Sequence, residues 1–134
     1  MGHIRAEISI SNPREPELKP VVVSALVDTG ATVTCIPQAI ADQLQLQVLD
    51  TRTATVADGR STKAPYAGPV RIDFANRMCF SGALIFGNDV LLGAIALEDM
   101  DLILDMREQK LTVPPDRPNF AQVLVKSLSR TVNR

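Results

Sequence analysis

Residues 25–32 read Ala-Leu-Val-Asp-Thr-Gly-Ala-Thr, and the fold prediction starts from them. The preceding run, residues 21–27, is apolar and mostly β-branched, which predicts a strand buried on both faces. Gly30 permits an abrupt turn where that strand ends. Asp28 is therefore expected in an apolar setting in which the Thr29 hydroxyl and the turn amides hold its carboxylate. Such an acid suits proton transfer, although Asp-Thr-Gly is also an ordinary turn sequence.

The composition leaves few groups other than carboxylates for chemistry. His3 is the one histidine, and Cys35 and Cys79 are the two cysteines. These side chains cannot supply the ligands of a zinc site, and a Cys/His or Ser/His pair would need a histidine from the chain terminus. We therefore expect no metal and no cofactor, acid–base chemistry on carboxylates, and both cysteines as small buried hydrophobic residues.

Charge and hydropathy indicate a folded protein with no general affinity for nucleic acid or membranes. The chain has 14 basic and 15 acidic residues among 134, and 46% of its residues are hydrophobic. It shows neither the apolar core of a signal peptide nor an uninterrupted apolar run of about 18 residues. The expectation is a soluble, cytoplasmic protein with no nucleic-acid partner and no membrane partner.

Apolar periodicity predicts a mainly β domain with two short helices. The Asp58-Gly59 pair predicts a tight hairpin turn, because glycine tolerates the positive φ that such turns need. Pro114, Pro115 and Pro118 end the regular pattern, so the domain is expected to span residues 1–115. Strands are expected at residues 4–10, 21–27, 53–56, 69–74, 78–86, 102–105 and 111–113, and helices at 37–46 and 94–99.

A C-terminal tail is predicted at residues 116–134, after the prolines. Two structures fit it equally: a docked or dimer-contacting helix, and a basic, poorly ordered end. The pattern consists of Phe120, Val123, Leu124 and Leu128 at helical spacing, with Lys126, Arg130 and Arg134 on another face.

Two elements of the chain together resemble the retropepsin-like aspartic peptidases, the clan of the retroviral proteases. Residues 25–32 match the active-site signature, and Leu91-Leu92-Gly93, followed by the helix predicted at 94–99, matches the second element, two apolar residues and glycine leading into a short helix. The order and spacing of the two elements also agree. The resemblance covers roughly residues 4–113 and is closest to the small stand-alone prokaryotic members. It implies an all-β, closed β-barrel of the acid-protease type, assembled as a homodimer.

The resemblance also implies roles for individual residues. Asp28 would be catalytic, Thr29 would bind the loop of the other subunit across the two-fold axis, and Gly30 would let the two loops approach closely. Ala31 stands where secreted relatives usually carry serine, which predicts a less acidic pH optimum than theirs. Leu91, Leu92 and Gly93 would support the loop. Ala57, Asp58, Gly59 and Arg60 would form the tip of a flap that closes over an extended peptide.

A single Asp28 cannot both activate a water as a base and protonate a carbonyl as an acid. Two carboxylates that share one proton can do both, because like charges so close do not both ionise. The one other Asp-Thr pair, Asp50-Thr51, is followed by Arg52 where the motif requires glycine. A homodimer with an Asp28 pair is therefore the expected assembly, and an extended peptide or protein is the expected substrate.

Two departures from the family pattern leave alternatives open. The hairpin at residues 57–60 has one glycine where retroviral flaps have more, so a stiff or short flap and a plain surface hairpin both fit. Asp101 falls where close relatives tend to have glycine. For function, the alternative to an endopeptidase is a retropepsin-like module that binds peptides or dimerises with little or no catalysis. A small β-barrel ligand carrier would leave Leu91-Leu92-Gly93 unexplained.

Overall fold

The computed structural model describes residues 3–126 of the chain. Within them the fold is all-β with two short helices, as the sequence predicts. The elements are β1 (Arg5–Ser11), β2 (Val21–Val27), β3 (Cys35–Ile36), α1 (Gln38–Gln43), β4 (Gln47–Thr55), β5 (Ser61–Phe74), β6 (Arg77–Ile85), β7 (Leu91–Leu92), α2 (Ala94–Asp99), β8 (Ile103–Asp105) and β9 (Lys110–Thr112). Each helix has six residues, far fewer than the roughly 20 that cross a bilayer, and no described helix could span a membrane.

Seven strands form one sheet in the order β1-β2-β7-β3-β6-β5-β4, and β8 and β9 form a separate pair. β1 also pairs with β5, so the strand pairing returns to its starting strand. β2 runs parallel to β7, with Leu26 opposite Leu91 and Val27 opposite Leu92. This pairing places the residue after β2, Asp28, next to the residue after β7, Gly93.

The period-two pattern predicted for the first strand is confirmed. Ala6, Ile8 and Ile10 of β1 are buried in the core, while Arg5 and Glu7 are exposed. Burying a side chain such as isoleucine contributes about 1.5–3 kcal/mol. The core therefore fixes which face of β1 points inward.

The prediction that residues 21–27 are buried on both faces is wrong. Val22 is 62% exposed and Ser24 is exposed, and Ala25 is the one fully buried residue of β2. β2 pairs with β1 along its length but with β7 only at Leu26 and Val27. One face of β2 is thus left open, because a β-branched run favours a strand without determining its burial.

The hairpin strands β4 and β5 are longer than the predicted strands at 53–56 and 69–74. β4 is exposed over almost its whole length, and its pairing continues from Gln47↔Gly68 to Thr55↔Ser61. Such a pair is held by main-chain hydrogen bonds, so hydrophobic periodicity does not mark its ends. Helix α1 is shorter than the predicted 37–46, because Gln45 has a φ of 51° and cannot continue the helix.

Three charged side chains join the end of α2 to the start of β6 and to the residues after β9. Arg117 donates from Nε and Nη2 to the Asp101 carboxylate at 2.7 and 3.0 Å, and the Gln122 amide donates to it at 3.0 Å. Arg77 donates from Nη1 to the Met100 carbonyl at 3.0 Å and from Nη2 to the Arg117 carbonyl. We call Asp101, Arg77 and Arg117 the Asp101 clamp.

The clamp shows how the first part of the predicted tail is held. Residues 121–125 have no regular secondary structure, so the helix alternative is not seen there, and Phe120 and Val123 are exposed. The rest of the predicted stripe, with Leu128, Arg130 and Arg134, lies outside the described residues. The boundary at residue 115 stays a prediction.

Replacing Asp101 by asparagine is expected to reduce the loss of thermal stability in acid. The hydrogen bond from Arg117 and the Gln122 amide hold the pKa of Asp101 well below its usual 3.8. Because the pKa of Asp101 is lower in the folded than in the unfolded state, its carboxylate stabilises the fold at pH values above the unfolded-state pKa. This stabilisation is lost as the pH falls from there toward the folded-state pKa. Asparagine tolerates the left-handed backbone but carries no titrating carboxyl group.

Calorimetry of both proteins at about pH 6 and about pH 2.5 measures the effect. The drop in Tm between the two pH values should be larger for the wild type than for Asp101→Asn. Equal drops would show that Asp101 makes no pH-dependent contribution.

Candidate active site

Asp28 follows a strand whose end is fixed on both sides by the backbone. The Leu26 amide donates to the Val90 carbonyl at 2.8 Å, and the Asp28 amide donates to the Leu92 carbonyl at 3.0 Å. From the β1 side, the Val27 amide donates to the Ile4 carbonyl at 2.9 Å. The position of Asp28 is thus set by the sheet before its side chain makes any contact.

The turn after β2 holds the Asp28 carboxylate through a backbone amide. The Gly30 amide donates to Asp28 Oδ1 at 2.9 Å, and the Ala31 amide donates to the Asp28 carbonyl at 3.1 Å. Among the described residues, the predicted hydrogen bond from the Thr29 hydroxyl to the Asp28 carboxylate is not present. Thr29 and Gly30 are exposed. Asp28 itself is half-buried, so the predicted apolar setting covers it only partly. The exposed residues Thr29 and Gly30 remain accessible to another molecule.

The start of α2 lies against the same loop. The Ala94 amide donates to the Ala31 carbonyl at 2.8 Å, and the Ile95 amide donates to the Thr32 carbonyl at 3.1 Å. The Gly93 amide donates to Thr34 Oγ1 at 3.2 Å. The structure therefore brings the two sequence elements around Asp28 and Gly93 together, although they are far apart in the chain.

Gly93 cannot carry a side chain in this arrangement. A Cβ atom there would lie 2.5 Å from the Val33 carbonyl carbon, 2.6 Å from its oxygen and 2.9 Å from the Thr34 nitrogen. These are backbone atoms, which cannot rotate out of the way. The glycine is thus required by the close approach of two main-chain segments.

The predicted flap is the turn between β4 and β5, and its four residues are exposed. Gly59 has a φ of 90°, as the Asp-Gly prediction requires. Asp58 accepts hydrogen bonds from the Arg60 amide at 3.0 Å and from Arg60 Nε at 2.6 Å. The Gly59 amide donates to the Val56 carbonyl at 2.9 Å, which closes the turn. The hairpin tip is therefore tied by its own side chains.

We call residues 28–34, between β2 and β3, the Asp28 loop. A cleft of about 500 Å³ lies between this loop and the end of β4. Its walls are mainly apolar, and Asp28 is the one carboxylate among the described residues that line it. The lining residues are Asp28, Gly30, Ala31, Thr32, Val33, Cys35, Thr53, Ala54, Thr55, Val56, Ala57, Leu84, Phe86 and Leu91. A mainly apolar cleft with a few polar groups is typical of a ligand-binding site.

Residues 17–99 match the family model described as "gag-polyprotein putative aspartyl protease". This match covers more than half of the chain and includes Asp28 and Gly93. The chain belongs to the retropepsin-like aspartyl protease family. Its fold is similar to that of the retroviral protease-like domain of Ddi1 from Leishmania major, a crystal structure that aligns with a TM-score of 0.57 at 18% sequence identity. The alignment covers 86% of this chain and 90% of that domain. No curated protein sequence matches the chain.

The second Asp-Thr pair of this retropepsin-like chain lies away from the cleft. Asp50 and Arg52 are exposed on β4, where Arg52 Nε donates to Asp50 Oδ2 at 3.0 Å. That hydrogen bond, with the Thr51 amide, lowers the pKa of Asp50. The Arg52 guanidinium also lies 3.9 Å from the centre of the Tyr66 ring. Asp50 is therefore held by surface contacts and does not complete the site within one chain.

The cysteines are buried and free, as predicted. Burial raises the pKa of the Cys79 thiol to about 11. Burial and, to a smaller extent, the charge of Asp28 raise the pKa of Cys35, which lies in the cleft wall. Both thiols stay protonated near neutral pH and act as small hydrophobic groups. Among the described residues no three His, Cys, Asp or Glu side chains are placed to bind a metal.

One contributor to the site was not singled out from the sequence. Thr34 is buried, and its hydroxyl accepts the Gly93 amide hydrogen. The sequence feature that could have drawn attention to Thr34 is its place as a polar residue directly before the apolar pair Cys35-Ile36. A buried hydroxyl is stable only with a hydrogen-bond partner, and sequence does not identify a partner so distant along the chain.

Gly93→Ala is expected to destabilise the fold by about 3 kcal/mol, because its Cβ would overlap backbone atoms. Gly82→Ala is the matched control. Its Cβ would lie even closer to a neighbour, 2.2 Å from Tyr66 Cζ, but that atom is the far end of a side chain that can rotate. We expect a loss of about 1 kcal/mol at Gly82, measured by urea denaturation. A loss at Gly82 equal to or above that at Gly93 would contradict the close-approach argument.

Proposed function

We propose that the protein is an aspartic endopeptidase that works as a homodimer, with a water activated by Asp28 of both copies. The observation that carries this proposal is Asp28 at the edge of a mainly apolar cleft, held by the Gly30 amide beside exposed loop residues. Membership of the retropepsin-like family supports it. The pairing of β1 with both β2 and β5 supports a closed barrel as the scaffold.

Two copies are needed because one carboxylate cannot carry both proton transfers. The ionised member of the Asp28 pair accepts a proton from water as the water oxygen bonds to the peptide carbonyl carbon. The protonated member donates its proton to the carbonyl oxygen, giving a neutral tetrahedral diol. The C–N bond then breaks as the Asp28 that took the water proton donates it to the nitrogen, while the other Asp28 accepts a proton from a diol hydroxyl. An amine and a carboxylic acid leave, and the pair again holds one proton. The steps need no metal, no cofactor and no covalent intermediate.

The loop geometry supports a partner beside Asp28. Thr29 and Gly30 are exposed, whereas Ala31 and Thr32 are tied to α2 through their carbonyls. A two-fold axis next to Thr29 would bring the two Asp28 carboxylates together and cover both loops. Gly30 adds no side chain at this approach, and a Cβ there would lie 3.2 Å from Asp28 Oδ1.

The substrate we propose is an extended peptide lying in the cleft under the hairpin of residues 57–60. β4 pairs only with β5 among the described strands, so its other edge can take an added strand. Side chains of the peptide would contact Val33, Leu84 and Phe86 of the cleft wall. We also propose a cytoplasmic location, which the near-balanced charge and the two free cysteines support.

The tied hairpin tip favours one further candidate function. The Asp58–Arg60 bond holds the tip in its turn, and a flap that does not close over the cleft would bind peptides without excluding water. The second candidate is therefore a peptide-binding or dimerisation module with little or no catalysis.

Asp28→Asn is expected to lower peptide cleavage about a thousandfold or more, because neither copy then carries an ionisable carboxylate at this position. Asp50→Asn is the matched control, since it changes the same dipeptide outside the cleft, and it should cleave like the wild type. At low enzyme concentration the wild-type rate should rise with about the square of the concentration.

A fluorogenic peptide library measured over an enzyme dilution series provides the data. Equal cleavage by Asp28→Asn and wild type would reveal a contaminating peptidase. Peptides that bind but stay intact across the pH range would favour the binding module.

Ala31→Ser is expected to move the pH–rate optimum toward acid. A hydroxyl at this position would donate to the ionised carboxylate pair and favour the ionised form at lower pH. The control Ala39→Ser, exposed on α1, should leave the profile unchanged. An optimum that stays in place in Ala31→Ser would show that the hydroxyl does not reach the pair.

A further inference from the structure

Helix α2 is held at both ends, and one end holds the Asp28 loop. At its start, the Ala94 and Ile95 amides donate to the carbonyls of Ala31 and Thr32 at 2.8 and 3.1 Å. At its end, Arg77 Nη1 donates to the Met100 carbonyl at 3.0 Å. Six residues at about 1.5 Å each make α2 a rod of about 9 Å. A shift at one end of so short a helix moves the other end.

Asp101 has a backbone conformation that favours glycine. Its φ is 52°, in the left-handed region, which residues other than glycine, asparagine and aspartate seldom adopt. The aspartate carboxylate accepts three hydrogen bonds in return, two from Arg117 and one from the Gln122 amide. A glycine at this position would lack these three hydrogen bonds, so the carboxylate is what distinguishes Asp101 from glycine here.

Arg77 makes the clamp sensitive to the loss of any member. Its side chain is 2% exposed, and its Nε has no hydrogen-bond partner among the described residues. The Asp101 carboxylate lies 3.7 Å from Arg77 Nη1, and the Arg117 carbonyl accepts from Nη2. A buried guanidinium needs such partners, because an uncompensated buried charge is strongly destabilising.

We propose that Arg117 is a positioning residue for the Asp28 loop, acting through Asp101 and α2. The role rests on the proposed function, because it concerns the geometry of the same site. Arg117 lies outside residues 17–99, the part of the chain that matches the family model. The support for the Asp28 loop would therefore come from a segment that this match does not cover. Loss of the guanidinium frees the end of α2 and loosens the bonds from Ala94 and Ile95 to the loop.

Three variants test the proposal: Arg117→Gln, Arg117→Lys and the control Arg71→Gln. Arg71 forms an equally close two-bond pair with Asp73 on β5, and among the described residues neither side chain hydrogen-bonds to α2. Cleavage is measured well below each variant's Tm, so that the folded fraction is the same. Hydrogen exchange of the Ala94 and Ile95 amides is followed by NMR on the same proteins.

Arg117→Gln should lower kcat about tenfold to a hundredfold, since small displacements of a reacting group are costly, and leave KM nearly unchanged. The Ala94 and Ile95 amides should exchange faster. Arg117→Lys should restore part of both effects, because it keeps the charge but not the two-bond geometry. Arg71→Gln should match the wild type in both measurements.

Unchanged kcat and unchanged exchange in Arg117→Gln would overturn the proposal, as would a kcat loss that merely follows a reduced folded fraction. If the wild type shows no Asp28-dependent cleavage, the proposed function fails, and exchange alone then decides on the clamp. Faster exchange confined to Ala94 and Ile95 would still support the coupling, and unchanged exchange would reject it.

Discussion

The contact between Gly93 and the backbone of Val33 and Thr34 is the constraint on which the site depends. It lets the residue after β7 lie against the segment before β3, while β7 runs parallel to β2 on its other side. From there the α2 amides reach the carbonyls of Ala31 and Thr32. Asp28 is placed by this crossing of main-chain segments, and a side chain at position 93 would separate them.

Local signals in the sequence were enough to predict the elements around the candidate site. The alternation in β1, the Asp58-Gly59 turn and the helix after Gly93 each depend on neighbours within a few residues. The open face of β2 and the full length of β4 could not be predicted in this way. Whether another element covers Val22, and how far β4 pairs with β5, are decided by residues distant in the chain.

Asp101 shows how a departure from a family pattern can be informative. From the sequence alone, this residue is only an aspartate where close relatives tend to have glycine. In the structure the same residue tolerates an unfavourable φ and binds Arg117, which belongs to the tail. The aspartate and the tail are thus one feature, because the carboxylate has little reason to be there without the arginine. A buried Arg77 beside them requires the same negative charge.

The Asp28 loop divides into a fixed half and an open half. Residues from Ala31 to Thr34 are bound to α2 and Gly93, whereas Thr29 and Gly30 are exposed and make no contact with α2. A loop that was mobile throughout would have to be ordered when a partner binds, at a cost in conformational entropy of about 1–2 kcal/mol per residue. Here that ordering has already been done by the chain itself for the inner half. In the proposed dimer, a second copy would then supply only a surface for the two exposed residues and the second carboxylate.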